Sequence, residues 1–591
     1  MKQNNNKDLP LKIGGMATFR GVLLKDKNKQ VVTSDIQGTI VTDIIINDNK
    51  NSKIYNIISA VPILRGIVGI YTSIKCGIPY IVESAENIVN DIIKKDEEKM
   101  LKINKFEILI SFIISAVLFS VIWITLPMLV SLLLPYAKYR CIIQVLLKAV
   151  IFLLYIGTFK RIPYLSKLFE YHGAEHTAVN YYEDNINEVK NIKSILDVNI
   201  KKVATYSKIH RRCGSNYIMY VMYISLMLTC FIPSNNILLK IIIEILTFPL
   251  LLGIAYEILN IFSLLPKKLE FILKPFTYVQ NITTKKPSED KLKIAIVSLL
   301  EITTKHISLD DYIKSYIEKY LNDIEVNLND ILRLVAFLLE TDKNLLYVNI
   351  KDTYLDIPIQ IKIKDILDRY YINKEPLQYI LQVQDFYNES YIVNSSVLIP
   401  RVDSEILVET AIKYIDKNSF KQCIDMCTGS GAIGISTAKN SNIDYMILVD
   451  ISEKALEIAS KNIIKNDIEN KCSILHSNLF ENIDNTIKYD LILSNPPYIK
   501  SDELINLSNY VLKEPMLALN GGKSGLDIYC NIFKEASSVL KDNGYIILEI
   551  GFNQKDDIIN IIDQYAEYEY IECIKDLALK DRVIVCRFHQ I

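Results

Sequence analysis

The sharpest chemical word in the chain is Asn495-Pro496-Pro497-Tyr498, which follows the apolar run YDLILS (489–494). Two successive prolines fix φ and remove two backbone N–H donors. The carbonyl oxygens of such a turn and the Asn495 side-chain oxygen are left as acceptors, and Tyr498 adds a flat wall. That set receives a planar group bearing an NH₂, by accepted hydrogen bonds and stacking. A nitrogen held in line with an electrophilic methyl reacts through orientation rather than through a general base. The plainer alternative is a structural strand-to-loop turn. Upstream, CIDMCTGSGAIGISTAKN (423–440) reads as a strand, a glycine-bearing turn and a helix. Its spacing is D-x-x-x-G-x-G, from Asp425 through Thr428, Gly429 and Ser430 to Gly431, and the next strand, YMILVDIS (445–452), carries Asp450 near its end. The glycines let backbone pass close to a ligand at a helix start. A carboxylate ending the second strand accepts from both hydroxyls of a ribose. S-adenosylmethionine suits this spacing better than a dinucleotide, whose pyrophosphate favours G-x-G-x-x-G, but a nicotinamide enzyme stays open on these residues alone.

A second constellation lies far upstream. The chain has 6 histidines, and His172 and His176 stand four apart in FEYHGAEHTAVNYYE (169–183) with Glu175 beside them. On a helix the two histidines share a face, in the H-x-x-E-H spacing of inverted zinc hydrolases. HRRCG (210–214) adds His210 and Cys213. Nitrogen and sulfur donors together point to zinc, with Glu175 as an outer partner or a base toward bound water. The bland alternative is a pair of helix-end histidines at a charged membrane surface.

The elements that must position these groups differ between the two ends of the chain. Residues 376–591 hold 20 Lys+Arg and 31 Asp+Glu, a net of −11, which leaves +10 for residues 1–375. An acidic surface is a poor partner for a phosphate backbone, so stable DNA or RNA binding is not expected. The N-terminal part is dominated by apolar runs at 108–134, 141–159, 217–232 and 241–265. The first has 27 uncharged residues, more than the roughly 20 that cross a hydrocarbon core. Four crossings would leave only PYAKYR (135–140) and PSNN (233–236) outside and the basic stretch 160–216 inside, as the positive-inside rule requires. Both termini and everything after 266 would then be cytoplasmic. The segment 58–82, with Arg65 and Lys75, reads as interfacial or re-entrant, and no signal peptide opens the chain. Ten cysteines without a C-x-x-C pair point to a reducing compartment. TTKKPSED (283–290) reads as a linker, and 291–375 as a small helical module with three-and-four apolar spacing. The expected domains are therefore 1–287, 291–375 and 376–591.

Two resemblances follow. PLQYI (376–380), VLIPRVDSE (397–405), DMCTGSGAIGI (425–435), SNPPYI (494–499), EPMLALNGGKSGLDIY (514–529), LEIGFNQ (548–554) and KDLALKDRVIV (575–585) resemble the PrmC/HemK protein-(glutamine-N5) methyltransferases over about 300–591. That resemblance implies an α/β Rossmann-like class I methyltransferase domain with S-adenosylmethionine as cofactor, peptide chain release factors as protein substrate at a Gly-Gly-Gln loop, and docking of that substrate through the helical module. It implies that Thr428, Gly429, Ser430 and Gly431 surround the methionine part of the donor, that Asp450 holds the ribose, that Leu479 lies near the adenine, and that Asn495 through Tyr498 hold the glutamine amide. Arg401 and Glu405 match family positions near the entrance. Departures from the family pattern are Cys427 for Gly, Asn478 for Asp beside the adenine, Lys513 for Tyr and Asp403 for Glu. DNA adenine-N6 methyltransferases share the SNPPY word but not the flanking ones, and an inactive membrane-tethered binding module is a further alternative. GGMATFRGVLLK (14–25), VPILRGIVG (61–69), YHGAEH (171–176), HRRCGS (210–215), GIAYEI (253–258) and NITTKKP (281–287) resemble the YqhQ-type bacterial membrane proteins (DUF1385), predicted metal-dependent enzymes without an assigned reaction. Met16 and Thr177 depart from that family, which has Gln and Lys there. The chain as a whole reads as an α-helical multi-pass membrane domain, a helical module and a methyltransferase domain.

Overall fold

A computed structural model describes residues 13–26, 29–36, 38–46, 61–93, 121–133, 139–159, 162–231, 237–304, 306–322 and 324–591, with isolated positions between 58 and 118. By contacts the chain forms two units, Met1–Tyr316 with Ile350–Ile361, and Ile317–Asn349 with Lys362–Ile591.

In the first unit, β1 (Gly14–Ala17), β2 (Gly21–Lys25), β3 (Lys29–Ile36) and β4 (Thr39–Ile46) form an antiparallel meander in chain order. The labelled helices are α1 (Leu64–Ile93), α2 (Arg140–Phe159), α3 (Pro163–Asp184), α4 (Gly214–Phe231), α5 (Ile237–Ser263) and α6 (Glu289–Thr303). Helix α6 packs on β2, β3 and α3, and residues from Leu292 to Leu300 are almost all buried in a core shared with Val22, Leu24 and Ala178. The stretch 291–375 is therefore divided between the units. A short ribbon, β5 (Ile307–Ser308) with β6 (Tyr354–Leu355), and the residues after it complete the first unit. There the Glu301 carboxylate accepts the Ile357 N–H at 2.7 Å, and the Gln360 side chain accepts from the Ser194 hydroxyl and the Ile195 N–H. The polar string 283–290 is not a free linker. The Lys285 N–H donates to the Phe169 carbonyl at 2.8 Å, and a Cβ at Gly173 would collide with the Lys285 carbonyl oxygen.

Helix α4 and the Ile242–Ser263 part of α5 are long and apolar enough to cross a membrane by length and composition. Of the expected crossing at 108–134, residues 110, 114, 115, 118 and 121–133 are described, and all of them are helical. Run 141–159 forms α2. Instead of a re-entrant turn, most of 58–82 belongs to α1, one continuous 30-residue helix with Pro79 inside it. The charges that interrupt the apolar runs find each other. Lys148 meets Glu244 at 3.0 Å and the Thr229 hydroxyl at 2.9 Å, all buried, and Arg65 pairs with Glu257. An unpaired charge in such surroundings would be far costlier than the pair. The expectation of free thiols holds for 7 cysteines and fails at Cys141 and Cys230, which form a disulfide with Cα atoms 5.5 Å apart. They lie 89 residues apart in sequence and become neighbours only because α2 packs against α4.

In the second unit, β7 (Val383–Phe386) and β8 (Glu389–Ile392) form a ribbon. The main sheet is built from β9 (Gln422–Met426), β10 (Tyr445–Asp450), β11 (Cys472–His476), β12 (Tyr489–Ser494), β13 (Leu540–Glu549), β14 (Tyr568–Lys575) and β15 (Asp581–Phe588). Its order is β11-β10-β9-β12-β13-β15-β14, parallel except where β15 runs against β13 and β14. Both faces are covered, which is why these strands read as continuous apolar runs. Alternate residues feed two cores: Ile424, Met426, Ile447 and Val449 point into one, Cys423, Met446 and Leu448 into the other. Between β9 and β12 the strand order reverses, and ligands of such sheets bind at the carboxyl ends beside that reversal.

Removing one partner of the Lys148–Glu244 pair leaves an uncompensated buried charge. Lys148→Ala is expected to destabilise by about 3–5 kcal/mol, and Lys148→Met with Glu244→Leu together by far less. Thermal unfolding of the detergent-purified chain measures the difference, and equal losses from the single and double variants would contradict it.

Candidate active site and candidate metal centre

The turn after β9 is held from beneath. Asp425 is fully buried, and its Oδ2 accepts from the Thr428 hydroxyl at 2.6 Å and from the Gly434 N–H at 2.9 Å. Burial pushes its carboxyl up to about 7. It does not line the pocket, so it acts on a ligand only through the turn it shapes. Cys427, Gly429 and Gly431 all have positive φ, at 59°, 58° and 82°. A Cβ at Gly429 would meet nothing within 4 Å, so φ alone favours glycine there. Cys427 takes the left-handed conformation without that freedom, at a cost of roughly 1–2 kcal/mol. Burial pushes its thiol up to about 12, which keeps it unreactive. Asp450 stands across the turn. Its Oδ2 accepts the Gly429 N–H and its Oδ1 the Ser452 N–H, each at 2.9 Å. A carboxylate accepts about four hydrogen bonds, and with the Ile451 N–H also directed at it, Asp450 keeps accepting capacity for a ribose hydroxyl.

These groups open on a pocket of about 170 Å³ whose wall includes Thr428, Gly429, Ser430, Asp450, Asn478, Leu479, Asn495 and Pro497; Gly431, Pro496 and Tyr498 do not line it. Asn478 Nδ2 donates to Glu481 at 2.7 Å. That leaves Oδ1 as the acceptor toward the pocket, the role an Asp would fill. Asn495 Nδ2 donates to Ser404 Oγ at 3.3 Å. Beyond it lies Glu549, buried at the end of β13 with Ser404 and Asn495 beside its carboxyl group and Oε2 without a hydrogen-bond partner. Burial is the main cause pushing its carboxyl up to about 7. With Nδ2 engaged, Asn495 turns Oδ1 to the substrate side. Among the described residues no backbone N–H reaches the Pro496 carbonyl, while the Tyr498 carbonyl is taken by Gln554 Nε2 at 3.1 Å. Arg401 pairs with the buried Glu514, which also accepts the Ile399 N–H at 3.1 Å, and Glu405 accepts the Tyr387 N–H at 2.9 Å. Both family-matched residues thus fasten loops at the entrance. Glu549 was given no role from sequence; its signal was an acid inside the apolar strand YIILEI.

The second site gathers three of its five expected residues. Ligand atoms of His172, His176 and Cys213 all lie within 4.8 Å of one another, with His172 Nε2 3.2 Å from Cys213 Sγ. His172 Nδ1 meets the Thr283 carbonyl at 2.8 Å and His176 Nδ1 the Lys208 carbonyl at 2.7 Å. A carbonyl only accepts, so each Nδ1 carries the proton and each Nε2 keeps its lone pair, directed to the Cys213 sulfur in this structure and able to bind a metal, the outer-partner arrangement of metal-bound imidazoles. Burial lowers the His176 pKa and so favours the neutral, ligating form. Glu175 is one helix position from His176, about 100° around, and instead faces β1, where a Cβ at Gly15 would lie 2.5 Å from its Oε1. Burial raises its pKa. His210 is pinned through its backbone by Gln280, and its Nε2 lies 3.5 Å from Glu183 without a hydrogen-bond partner. Three donors of this kind fit zinc with an open fourth position.

The sheet order, the glycine turn and the Asp450 carboxylate define a class I, Rossmann-like methyltransferase fold. A family model described as a methyltransferase small domain matches residues 402–518, and one described as a protein of unknown function (DUF1385) matches 61–305, a span that includes α6. The release factor glutamine methyltransferase of Clostridium botulinum is 42% identical over 217 residues, covering 36% of this chain and 76% of its own. That of Clostridium acetobutylicum is 36% identical over 283 residues, covering 47% and 96%. Among solved structures, the ribosomal protein L11 methylase of Lactobacillus delbrueckii subsp. bulgaricus aligns over 32% of this chain and 81% of its own, at 16% identity and a TM-score of 0.25. Through its C-terminal part the chain belongs to the release factor glutamine methyltransferase family.

Gly173→Ala is expected to push the Lys285 carbonyl away and take the Thr283 carbonyl with it, freeing His172 Nδ1. Affinity for added zinc should fall about tenfold or more, the scale of losing a partner behind a ligand. Unchanged zinc affinity would refute that role for Gly173.

Proposed function

We propose that this chain transfers a methyl group from S-adenosylmethionine to the side-chain amide nitrogen of a glutamine in peptide chain release factors, within their Gly-Gly-Gln loop. The observation that carries this reading is the Asn495 amide, oriented by Ser404 and Glu549 beside the glycine turn and Asp450, in a chain of that family. The donor, when bound, would supply a sulfonium methyl, its sulfur–methyl bond breaking to leave a neutral thioether. The protein supplies position. Asn495 Oδ1 and the Pro496 carbonyl accept the two N–H groups of the glutamine amide, and Tyr498 provides a planar wall beside it. Two acceptors on an amide nitrogen also draw its lone pair out of conjugation as the new C–N bond forms, and the displaced proton passes to solvent. Helices 328–338 and 343–348 expose Phe337, Leu345, Tyr347 and Val348, an apolar face suited to docking a protein substrate.

The −11 charge of 376–591 argues against a DNA adenine-N6 methyltransferase. An inactive binding module would rest on Cys427 and Asn478. Cys427 keeps the turn in its left-handed conformation, and Glu481 restores the acceptor at Asn478, so neither departure removes a catalytic contact.

For the N-terminal part we propose a bacterial cell-membrane location with both termini and the catalytic domain cytoplasmic, and zinc at His172, His176 and Cys213. The disulfide Cys141–Cys230 supports that orientation, since it borders the two loops assigned to the outside, where disulfides persist.

Asn495→Ala is expected to lower turnover on purified release factor by about 10²-fold or more. Parent-like turnover would end this mechanism. Ionised Glu549, which only accepts, attracts the Ser404 hydroxyl and the Asn495 amide beside it more strongly than its protonated form, which keeps a weaker acceptor and adds an O–H donor. Turnover should therefore rise as pH climbs through about 7. Glu549→Gln should erase that limb and cost about tenfold at pH 8; superimposable pH profiles of variant and parent would exclude the role of Glu549.

A further inference from the structure

A cavity of about 710 Å³ lies within the N-terminal unit and takes no part in methyl transfer. Its size falls in the range of about 300–1,000 Å³ typical of small-molecule sites. The wall combines two chemistries. His172 of the metal centre lines it together with Lys25 and Arg212, while Ile218 of α4 and Leu259 of α5 add apolar surface from the two membrane-length helices. Among the described residues no aspartate or glutamate lines the wall, so their side-chain charge there is cationic. Arg212 also pairs with Glu183, outside the lining, but a guanidinium has five donors and one carboxylate engages two at most. Backbone is laid bare as well. Gly14 and Gly214 line the cavity, and a Cβ at either would meet nothing within 4 Å.

We propose that this cavity binds an amphiphile with a phosphate head and a hydrocarbon chain. The head sits at the open position beside His172, within reach of Arg212 and Lys25, and the chain runs along Ile218 and Leu259. The placement of the head rests on reading His172, His176 and Cys213 as a metal centre. Phosphate is the head these groups select, because a cation-lined wall and a metal with one free position both favour a compact dianion. A chain on that head follows from the contribution of α4 and α5, whose apolar side chains would otherwise bound a water-filled space.

The test uses the full chain in a neutral maltoside detergent, with zinc content measured on every sample. Equilibrium dialysis compares dodecyl phosphate, inorganic phosphate, dodecanol and a diacyl phosphatidate. Dodecyl phosphate should bind at least about tenfold more tightly than inorganic phosphate or dodecanol. Leu259→Trp and Ile218→Trp, which fill the cavity, and Arg212→Gln, which removes a cation, should each weaken it about tenfold or more while zinc content stays at the parent level. Retained zinc shows that the variants are folded. Tighter binding of phosphatidate than of dodecyl phosphate would assign the ligand to bilayer lipid, and weaker binding to a single-chain phosphate; both support the site. Inorganic phosphate binding as tightly as dodecyl phosphate, or both tryptophan variants binding like the parent, would overturn it. If the parent carries no zinc yet binds dodecyl phosphate in this pattern, the metal reading fails and the cavity stands. Zinc without dodecyl phosphate binding removes the cavity and leaves the metal.

Discussion

A carboxyl group that has lost its water must be hydrogen-bonded by protein, and that constraint shapes the carboxyl edge of the C-terminal sheet. Asp425 takes Thr428 and Gly434, Asp450 takes Gly429 and Ser452, Glu514 takes Ile399 and Arg401, and Glu549 lies beside Ser404 and Asn495. Asp425–Thr428 and Asp450–Ser452 brace single turns, while Asp450–Gly429 and the contacts of Glu514 tie one segment to another. Burial weakens the charge of such groups but raises the cost of leaving any one unpaired. In the proposed reaction, holding the Asn495 turn in this way is what would orient the substrate amide.

The N-terminal unit solves the aiming problem with neutral groups. Backbone carbonyls of Thr283 and Lys208 fix both imidazoles, and those carbonyls are themselves placed by close packing, since only glycine at 173 lets the Lys285 segment lie against α3. Words such as YHGAEH and NITTKKP therefore belong to one device although they lie more than a hundred residues apart.

Much of this was readable in the chain. The glycine turn, Asp450 and the Asn-Pro-Pro-Tyr turn were legible because backbone chemistry dictates their residue types locally, and the pocket assembles around them. What escaped were contacts made only by tertiary packing. Asp425 matched the motif spacing but lies under the turn instead of in the pocket. Glu175 matched the histidine spacing but points a quarter-turn away to β1. Cys141 and Cys230 carry no local signature of pairing. Helix α6 has the apolar spacing of a module helix, and periodicity alone does not say which of two neighbours it will cover. Glu549 was hidden for the opposite reason: a buried acid in a strand announces a role without naming its partners.

The chain passes from one unit to the other three times, near residues 316, 349 and 361. The second unit is therefore not a bead hung on the end of the first. During synthesis the N-terminal unit stays incomplete until Ile357 and Gln360 have emerged to meet Glu301 and Ser194, by which point part of its neighbour has already been made. A single cut anywhere in the chain therefore leaves at least one unit without part of its chain, and the two parts are made in fixed one-to-one proportion.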